Sequence, residues 1–250
     1  MRLEGKVAIV TGAASGFGAG IAQAYVAEGA RVIVADLNEQ GARSVAAALG
    51  PTAVAAGGDV SRAGDCEAIV ARAVSAFGGL DIVVNNAGTT HRNKPLLDVT
   101  EAEFDRVYAV NVKSIYWMTQ ATVPLLRRQK RGGSIINVGS TAGIRPRPGL
   151  TWYNGSKGAV NTITLAMAQE LASDNIRVNS ICPVIGATAL LEDFMGMPDT
   201  PENRARFLAT IPLGRMSTPA DIANAAVWLA EPASSFITGI LLPIDGGRTA

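Results

Sequence analysis

Tyr153 and Lys157, in the run Tyr-Asn-Gly-Ser-Lys, stand four residues apart. On a helix that spacing is about one turn, so both side chains leave the same face. An ammonium held beside a phenol favours the phenolate and pulls the tyrosine pKa below its ordinary value of about 10. A tyrosine tuned in this way exchanges protons as a general acid/base near neutral pH. Such pairs are common on protein surfaces, so the weight of this one depends on what stands around it.

The N-terminus supplies a partner for that chemistry. Val7-Ala-Ile-Val10 is a short apolar run of buried-strand type, and it leads through Thr11-Gly12-Ala-Ala-Ser-Gly16-Phe-Gly18 into a helical pattern over 19–28. Strand, glycine turn and helix in that order set backbone N–H groups and a helix N-terminus against a pyrophosphate. The spacing is Gly-x3-Gly-x-Gly rather than Gly-x-Gly-x-x-Gly, and a tight turn that merely needs glycine is the alternative. A second strand over 31–35 ends in Asp36, about 20 residues past the turn, where a carboxylate accepts hydrogen bonds from an adenosine ribose and repels a 2′-phosphate. Asp36 therefore favours NAD over NADP; it is also placed to cap the next helix. Ser15 occupies a turn position where a 2′-phosphate would call for Arg or Lys, and its neutrality points the same way.

The elements that must position these residues alternate. Strands are expected over 7–11, 31–35, 52–57, 80–84, 134–138, 176–181 and 240–243, with helices that include 63–77, 101–128, 153–173 and 219–230. The strands are apolar throughout, as in a parallel sheet covered on both faces. The expected fold is a single-domain, Rossmann-type, doubly wound α/β sheet of about seven strands, helices on both faces, spanning 1–250. In such a sheet a ligand lies beyond the C-terminal strand ends, where strand order reverses, and there Gly16 and Gly18 would let the backbone approach a pyrophosphate. Residues 188–212 form the one long excursion and are expected to act as a substrate lid.

Composition bounds the rest. The chain has 250 residues, 48% hydrophobic and 17% charged, enough for one large core. A net charge of +1 predicts no nucleic-acid partner. One histidine, His91, and two cysteines, Cys66 and Cys182, exclude a Cys/His zinc cluster, and no metal is expected. The thiols read as packed and reduced. A four-residue apolar run with Glu4 before it is too short for a signal peptide, and no stretch of about 20 apolar residues would span a membrane. A cytoplasmic protein is expected.

Taken in order, the turn from Thr11 to Gly18, Asp59-Val60, Asn85-Asn86-Ala87-Gly88, Asn111, Ser140, Tyr153, Lys157, Pro183 with Thr188, and Asp245-Gly246-Gly247 resemble the short-chain dehydrogenase/reductase family over essentially the whole chain. The resemblance implies an NAD-dependent oxidoreductase that moves a hydride between the nicotinamide and a secondary alcohol or ketone. Tyr153 would be the general acid/base, Lys157 would lower its pKa and bond the nicotinamide ribose, and Ser140 would hydrogen-bond the substrate oxygen. Asn111 would kink its helix and hold a water in a proton relay to Lys157. Cofactor contacts would come from Gly12, Ser15, Gly16, Phe17 and Gly18 in the turn, and from Asn86, Ala87 and Gly88. Asp59 and the N–H of Val60 would meet the adenine, with a turn or cap before Ser61 an equal alternative for Asp59. Pro183 and Thr188 would stand at the carboxamide end. Where the family often shows Pro-Gly, this chain has Pro183-Val184, and valine requires a β-type path because positive φ costs it too much.

The substrate end is less defined. Leu190, Leu191, Phe194, Met195 and Met197 make the lid apolar at its start, while Glu192, Asp193, Arg204 and Arg206 fit its solvated face. His91, Arg92, Asn93, Lys94, Arg145 and Arg147 cluster near the expected mouth, either to receive a carboxylate, sulfonate or carrier phosphate, or as solvent-facing or subunit-contact residues. Three functions stay open. The first is a dehydrogenase of a small alcohol, polyol or sugar. The second is a 3-oxoacyl-thioester reductase, a role that usually takes NADPH and that Asp36 speaks against. The third is a non-catalytic dinucleotide sensor, which would break the Ser–Tyr–Lys set that is whole here. The family is mostly tetrameric through the helices here at 101–128 and 153–173 and the last strand, and Ala159, Ala166, Ala168 and Ala172 suit either close subunit packing or packing on the sheet.

Overall fold

The computed structural model describes residues 1–186 and 190–250. Strand β1 (Val7–Thr11) leads through the glycine turn into α1 (Gly16–Ala27), then β2 (Arg31–Asp36), α2 (Glu39–Leu49), β3 (Ala53–Gly57), α3 (Ala63–Phe77) and β4 (Ile82–Asn85). The second half runs α4 (Glu101–Tyr108), α5 (Ser114–Gln129), β5 (Gly133–Val138), α6 (Thr151–Leu171), β6 (Ile176–Pro183), α7 (Leu191–Met195), α8 (Pro201–Leu208), α9 (Pro219–Ala230) and β7 (Leu241–Ile244). The strands form one parallel sheet in the order β3-β2-β1-β4-β5-β6-β7. The chain winds outward from β1 to β3, returns, and winds the other way from β4 to β7. Order therefore reverses between β1 and β4, where the loops leaving the C-terminal strand ends diverge and open a crevice.

The apolar strands follow from burial on both faces. Side chains alternate along a strand, so Ala8, Val10, Val32 and Val34 pack with Ile21 and Tyr25 of α1 and Ile222 of α9. Their neighbours Val7, Ile9 and Ile33 pack on the other side against Ile69 of α3 and Met118 and Leu126 of α5. Each such fully buried side chain contributes roughly 1.5–3 kcal/mol. Tyr25 pins the first layer by donating from its hydroxyl to the Ala226 carbonyl at 3.1 Å. Cys66 and Cys182 are buried free thiols, and burial pushes Cys66 up to about 12.

Three differences from the sequence reading matter for the site. The helix expected over 101–128 is two helices, α4 and α5, joined by a wider π-type turn at Ala109–Lys113 that carries Asn111; such a bulge re-aims the side chains on it. Of the excursion expected at 188–212, the described part from 190 carries two helices, α7 and α8, with Leu191 and Met195 buried. Of the alanines on α6 and just beyond it, Ala168 packs in the core while Ala166 and Ala172 are exposed. The β-type path expected of Val184 is present: β6 runs to Pro183, and the Val184 N–H donates to the Ile244 carbonyl at 3.2 Å. Among the described residues only Lys130 and Asn175 are non-glycine positions with positive φ. No helix of the described residues is long and apolar enough to cross a membrane.

Candidate active site

A cavity of about 520 Å³ occupies the crevice, running from the ends of β2 and β3 past the β1–α1 turn to the first turns of α6. One half has the features of an anion and ribose site. Gly12 and Gly16 take φ of +64° and +56°, the left-handed region that glycine enters without strain. Ser15 is the N-cap of α1, yet its side chain makes no capping bond, and the first turn of α1 carries no acidic residue. The unpaired N–H groups of that turn and the helix dipole thus remain directed at a ligand. Gly12, Ser15, Gly16 and Phe17 line the cavity; Gly18 does not. A Cβ on Gly18 would lie 2.2 Å from the Gly12 carbonyl oxygen. Gly18 therefore lets α1 pack onto its own turn, which corrects the expectation that it brings backbone to a pyrophosphate.

Asp36 lines the same half and braces the turn. Its Oδ2 accepts from the Ala14 N–H at 2.9 Å and its Oδ1 from the Asn38 N–H at 2.8 Å, which leaves lone pairs for a further donor. The helix cap belongs to Asn38, whose side chain accepts from Gly41, so the capping alternative for Asp36 falls. Asp59 holds the turn alternative: its Oδ1 accepts from the N–H and hydroxyl of Ser61, beside a buried Val60, and both line the cavity. Asn86 donates from its side chain to the carbonyls of Thr11 and Gly12 at 2.8 and 3.1 Å, locking β4 to the glycine turn. Asn86, Ala87, Gly88 and Pro183 line the cavity, whereas Thr188 lies outside the described residues. Leu37, an exposed leucine on the cavity rim, was not marked by any sequence pattern. Left-handed glycines, an uncapped helix start and a carboxylate at the end of β2 together fit a dinucleotide.

The other half gathers the reactive residues. Tyr153 and Lys157 leave one face of α6, both buried, with Lys157 Nζ 6.0 Å from the Tyr153 ring centroid. Nζ donates to the Val138 carbonyl at 2.7 Å. Ser140, at the end of β5, accepts from the Ala142 N–H at 3.0 Å and lines the cavity with Tyr153. Burial pushes the Tyr153 phenol up to about 12, opposed by the nearby Ser140 side chain and by the charge of Arg147. Burial likewise pulls the Lys157 ammonium down to about 8. The expected lowering of the tyrosine pKa by Lys157 is thus absent: the ammonium is turned onto a carbonyl, desolvation of the phenolate dominates, and the cation that acts on Tyr153 is Arg147. Asn111 does not line the cavity. Its Nδ2 donates to the Thr89 carbonyl and to Ser156 Oγ, and its Oδ1 accepts from the Thr89 N–H at 2.8 Å. A Cβ on Gly88 would meet Asn111 Oδ1 at 3.4 Å and Lys157 Nζ at 3.6 Å, so the bulge sits one glycine away from the lysine.

The substrate end differs more from the sequence reading. His91 is buried, outside the cavity, with Nδ1 against the Arg92 carbonyl at 2.9 Å, and it is not a mouth residue. Lys94 pairs with Glu103, and Arg92 and Asn93 hold the backbone of α7 and Gly196. Arg145, Arg147 and Phe194 do line the cavity. Phe194 sets its edge on Tyr153 at 5.1 Å between centroids, and Arg147 lies 5.1 Å from the Phe207 ring centroid. Arg106, Phe207 and Arg248 also line it and were missed. Only Arg248 had a nearby signal, the Asp245-Gly246-Gly247 run that it follows.

The profile of a family described as enoyl-(acyl carrier protein) reductase matches residues 12–249. The 4-formylbenzenesulfonate dehydrogenase of Comamonas testosteroni is 53% identical over 99% of both chains. The chain belongs to the short-chain dehydrogenase/reductase family. It is an oxidoreductase. Among other members, the galactitol 2-dehydrogenase of Agrobacterium fabrum is 38% identical over 99% of both chains. A solved member, a 3-ketoacyl-(acyl-carrier-protein) reductase from Brucella melitensis complexed with NADH, superposes with a TM-score of 0.94, 43% identity, and coverage of 99% of this chain and all of that one.

Proposed function

We propose that this short-chain dehydrogenase/reductase is an NAD(H)-dependent dehydrogenase acting on a small alcohol, polyol or aldehyde. The observation that carries the reading is a single cleft with Tyr153, Ser140 and Lys157 at one end and Asp36 at the other. The nicotinamide, when bound, accepts or supplies the hydride. Ser140 and Tyr153 hold the substrate oxygen. In oxidation the Tyr153 phenolate would take the proton of the alcohol hydroxyl, or of a hydroxyl of the aldehyde's hydrate formed by addition of water, as the C–H electron pair leaves with the hydride; in reduction of a carbonyl the phenol would return that proton. Lys157, held by its Nζ on the Val138 carbonyl, would bond the nicotinamide ribose. Gly12, Ser15 and Gly16 would hold the pyrophosphate, Asp36 the adenosine ribose, and Asp59 with Val60 the adenine. Asn111 would hold a water in a proton relay to Lys157, as the family resemblance implies.

NAD is favoured over NADP because Asp36 would repel a 2′-phosphate, and the Brucella structure carries NADH. The names of the Comamonas and Agrobacterium relatives support oxidation of an alcohol or aldehyde carbon. The Brucella name favours a second reading, reduction of a 3-oxoacyl thioester. Residues 188–212 are proposed as the lid, a reading supported by Phe194 and Phe207, which line the cavity from α7 and α8. A homotetramer is proposed as well, a reading supported by the exposed Tyr116, Leu165 and Phe236.

The reading is tested by following NADH fluorescence with a panel of alcohols, polyols and sugars across pH. Oxidation needs the phenolate, and burial holds the phenol protonated at neutral pH. The kcat/KM for oxidation is therefore expected to climb from pH 6, by up to about tenfold per unit, until the working pKa is reached. A profile flat from pH 6 to 9 for a substrate with a rate-limiting chemical step contradicts Tyr153 as the base.

A further inference from the structure

Three guanidinium groups converge on the end of the cleft beyond Tyr153. Arg145 and Arg147 lie between β5 and α6; Arg248 comes from the C-terminal tail, and Arg145 Nη1 donates to its carbonyl at 2.7 Å. All three line the cavity with Phe194 and Phe207. Arg2, Arg43, Arg127, Arg131, Arg204 and Arg215 each face a carboxylate, whereas these three, like the remaining arginines, form no ion pair among the described residues; what sets them apart is that they share one cavity, where the other unpaired arginine, Arg106, is turned onto the Thr90 carbonyl. They oppose one another instead. Burial and then the Arg145 charge lower the pKa of Arg248; burial and then the Arg248 charge bring Arg147 down to about 10. Asp245 does favour the Arg248 charge, yet its oxygens are engaged by Gly247 and Thr249.

Gathering like charges without a counter-ion costs free energy that a bound anion offsets. Each guanidinium carries five donors in a planar fork. Arg147 spends one on the Phe194 carbonyl at 2.8 Å, and Arg248 one on Thr210. Phe194 thus touches both Arg147 and Tyr153, which sets the cationic pocket one residue away from the acid/base, with the Phe194 and Phe207 rings between lid and cleft. We infer that the substrate is a compact molecule carrying a sulfonate, carboxylate or phosphate gripped by Arg147 and Arg248, with Arg145 at the rim, close to the carbon that is oxidised or reduced. The inference rests on the dehydrogenase reading above.

The test compares 4-(hydroxymethyl)benzenesulfonate, 4-(hydroxymethyl)benzoate, neutral benzyl alcohol, galactitol and 3-hydroxybutyryl-coenzyme A as substrates with NAD. Wild type is expected to favour at least one benzylic anion over benzyl alcohol by roughly 100-fold in kcat/KM. Arg248→Gln should cut that ratio roughly 10- to 100-fold, mainly through KM, and Arg248→Lys should restore part of it. In the wild type alone, raising ionic strength should raise KM for the anion and not for benzyl alcohol, and benzenesulfonate should inhibit in competition with the anion, which decides the matter should a variant fail to fold. Anion and neutral alcohol within a few-fold, or galactitol as the preferred substrate, overturns the inference and leaves the dehydrogenase reading standing. Arg248 dependence confined to the coenzyme A thioester would assign the pocket to a carrier phosphate and overturn the compact substrate. NADH binding without turnover of any alcohol would sink both readings.

Discussion

Tyr153→Phe should lower kcat by roughly 10²- to 10⁴-fold, the range for removing a positioned acid/base, while NADH still binds. The change deletes one hydroxyl from a side chain whose ring remains packed against Phe194. No other phenol is placed to replace it: Tyr25 is committed to α9 through Ala226, Tyr108 stacks on Phe104, and Tyr116 is exposed beside Trp117, away from the cavity. Loss in kcat at near-constant NADH affinity, read by single-turnover kinetics and fluorescence titration, is the signature of a group that acts on the reacting proton. A variant that keeps more than about a tenth of wild-type kcat with chemistry rate-limiting would remove Tyr153 from its role.

Gly18→Ala should be strongly destabilising. Its Cβ would sit 2.2 Å from the Gly12 carbonyl oxygen and 2.5 Å from Asn86 Nδ2. The nearer clash is with backbone, so no rotamer change relieves it, and the turn or α1 must move. Overpacking of this kind costs about 3 kcal/mol or more, which for a domain of this size corresponds to a fall in Tm of roughly 6–12 °C. Dinucleotide binding should fail with it, because the displaced turn includes Gly12 and Gly16. Gly64→Ala in α3 is the control: an added Cβ meets nothing within 4 Å there, and the variant should be neutral or more stable by up to about 1 kcal/mol. Calorimetry of the pair checks both values, and equal melting points would contradict the packing argument.

The contrast between those glycines shows which parts of the molecule the sequence discloses. Strand β1 and helices α3 and α9 run over the residues expected of them, because their ends are written locally. Thr218-Pro219 with Asp221, for instance, forms a capping box with proline at the first turn of α9. The break at Ala109–Lys113 was legible only through the family resemblance, which implied a kink at Asn111; the periodicity did not show it, since a π-type turn adds one residue inside an otherwise continuous helical pattern. Gly18 was read as a ligand position because spacing says that a glycine is needed and not which atom it makes room for. The order of Ser140, Tyr153 and Lys157 was legible; the pKa of Tyr153 was not, since burial and the approach of Arg147 are properties of the fold. Arg106, Phe207 and Arg248 were missed because they come from α4, α8 and the tail, and only the crevice at the switch point brings them together. His91 was misplaced for the converse reason: a polar residue next to the mouth in sequence is buried behind it in space.

The measurement that tests the central claim most directly is calorimetric titration of the wild-type protein and Asp36→Ala with NADH and with NADPH. The account predicts that the wild type binds NADH at least about tenfold more tightly than NADPH. It also predicts that Asp36→Ala weakens NADH by roughly 10- to 100-fold, the value of a lost charge-assisted hydrogen bond, and erases the discrimination. NADPH binding as tightly as NADH to the wild type, or an unchanged ratio in Asp36→Ala, would contradict the NAD-dependent reading and bring the 3-oxoacyl-thioester reductase forward.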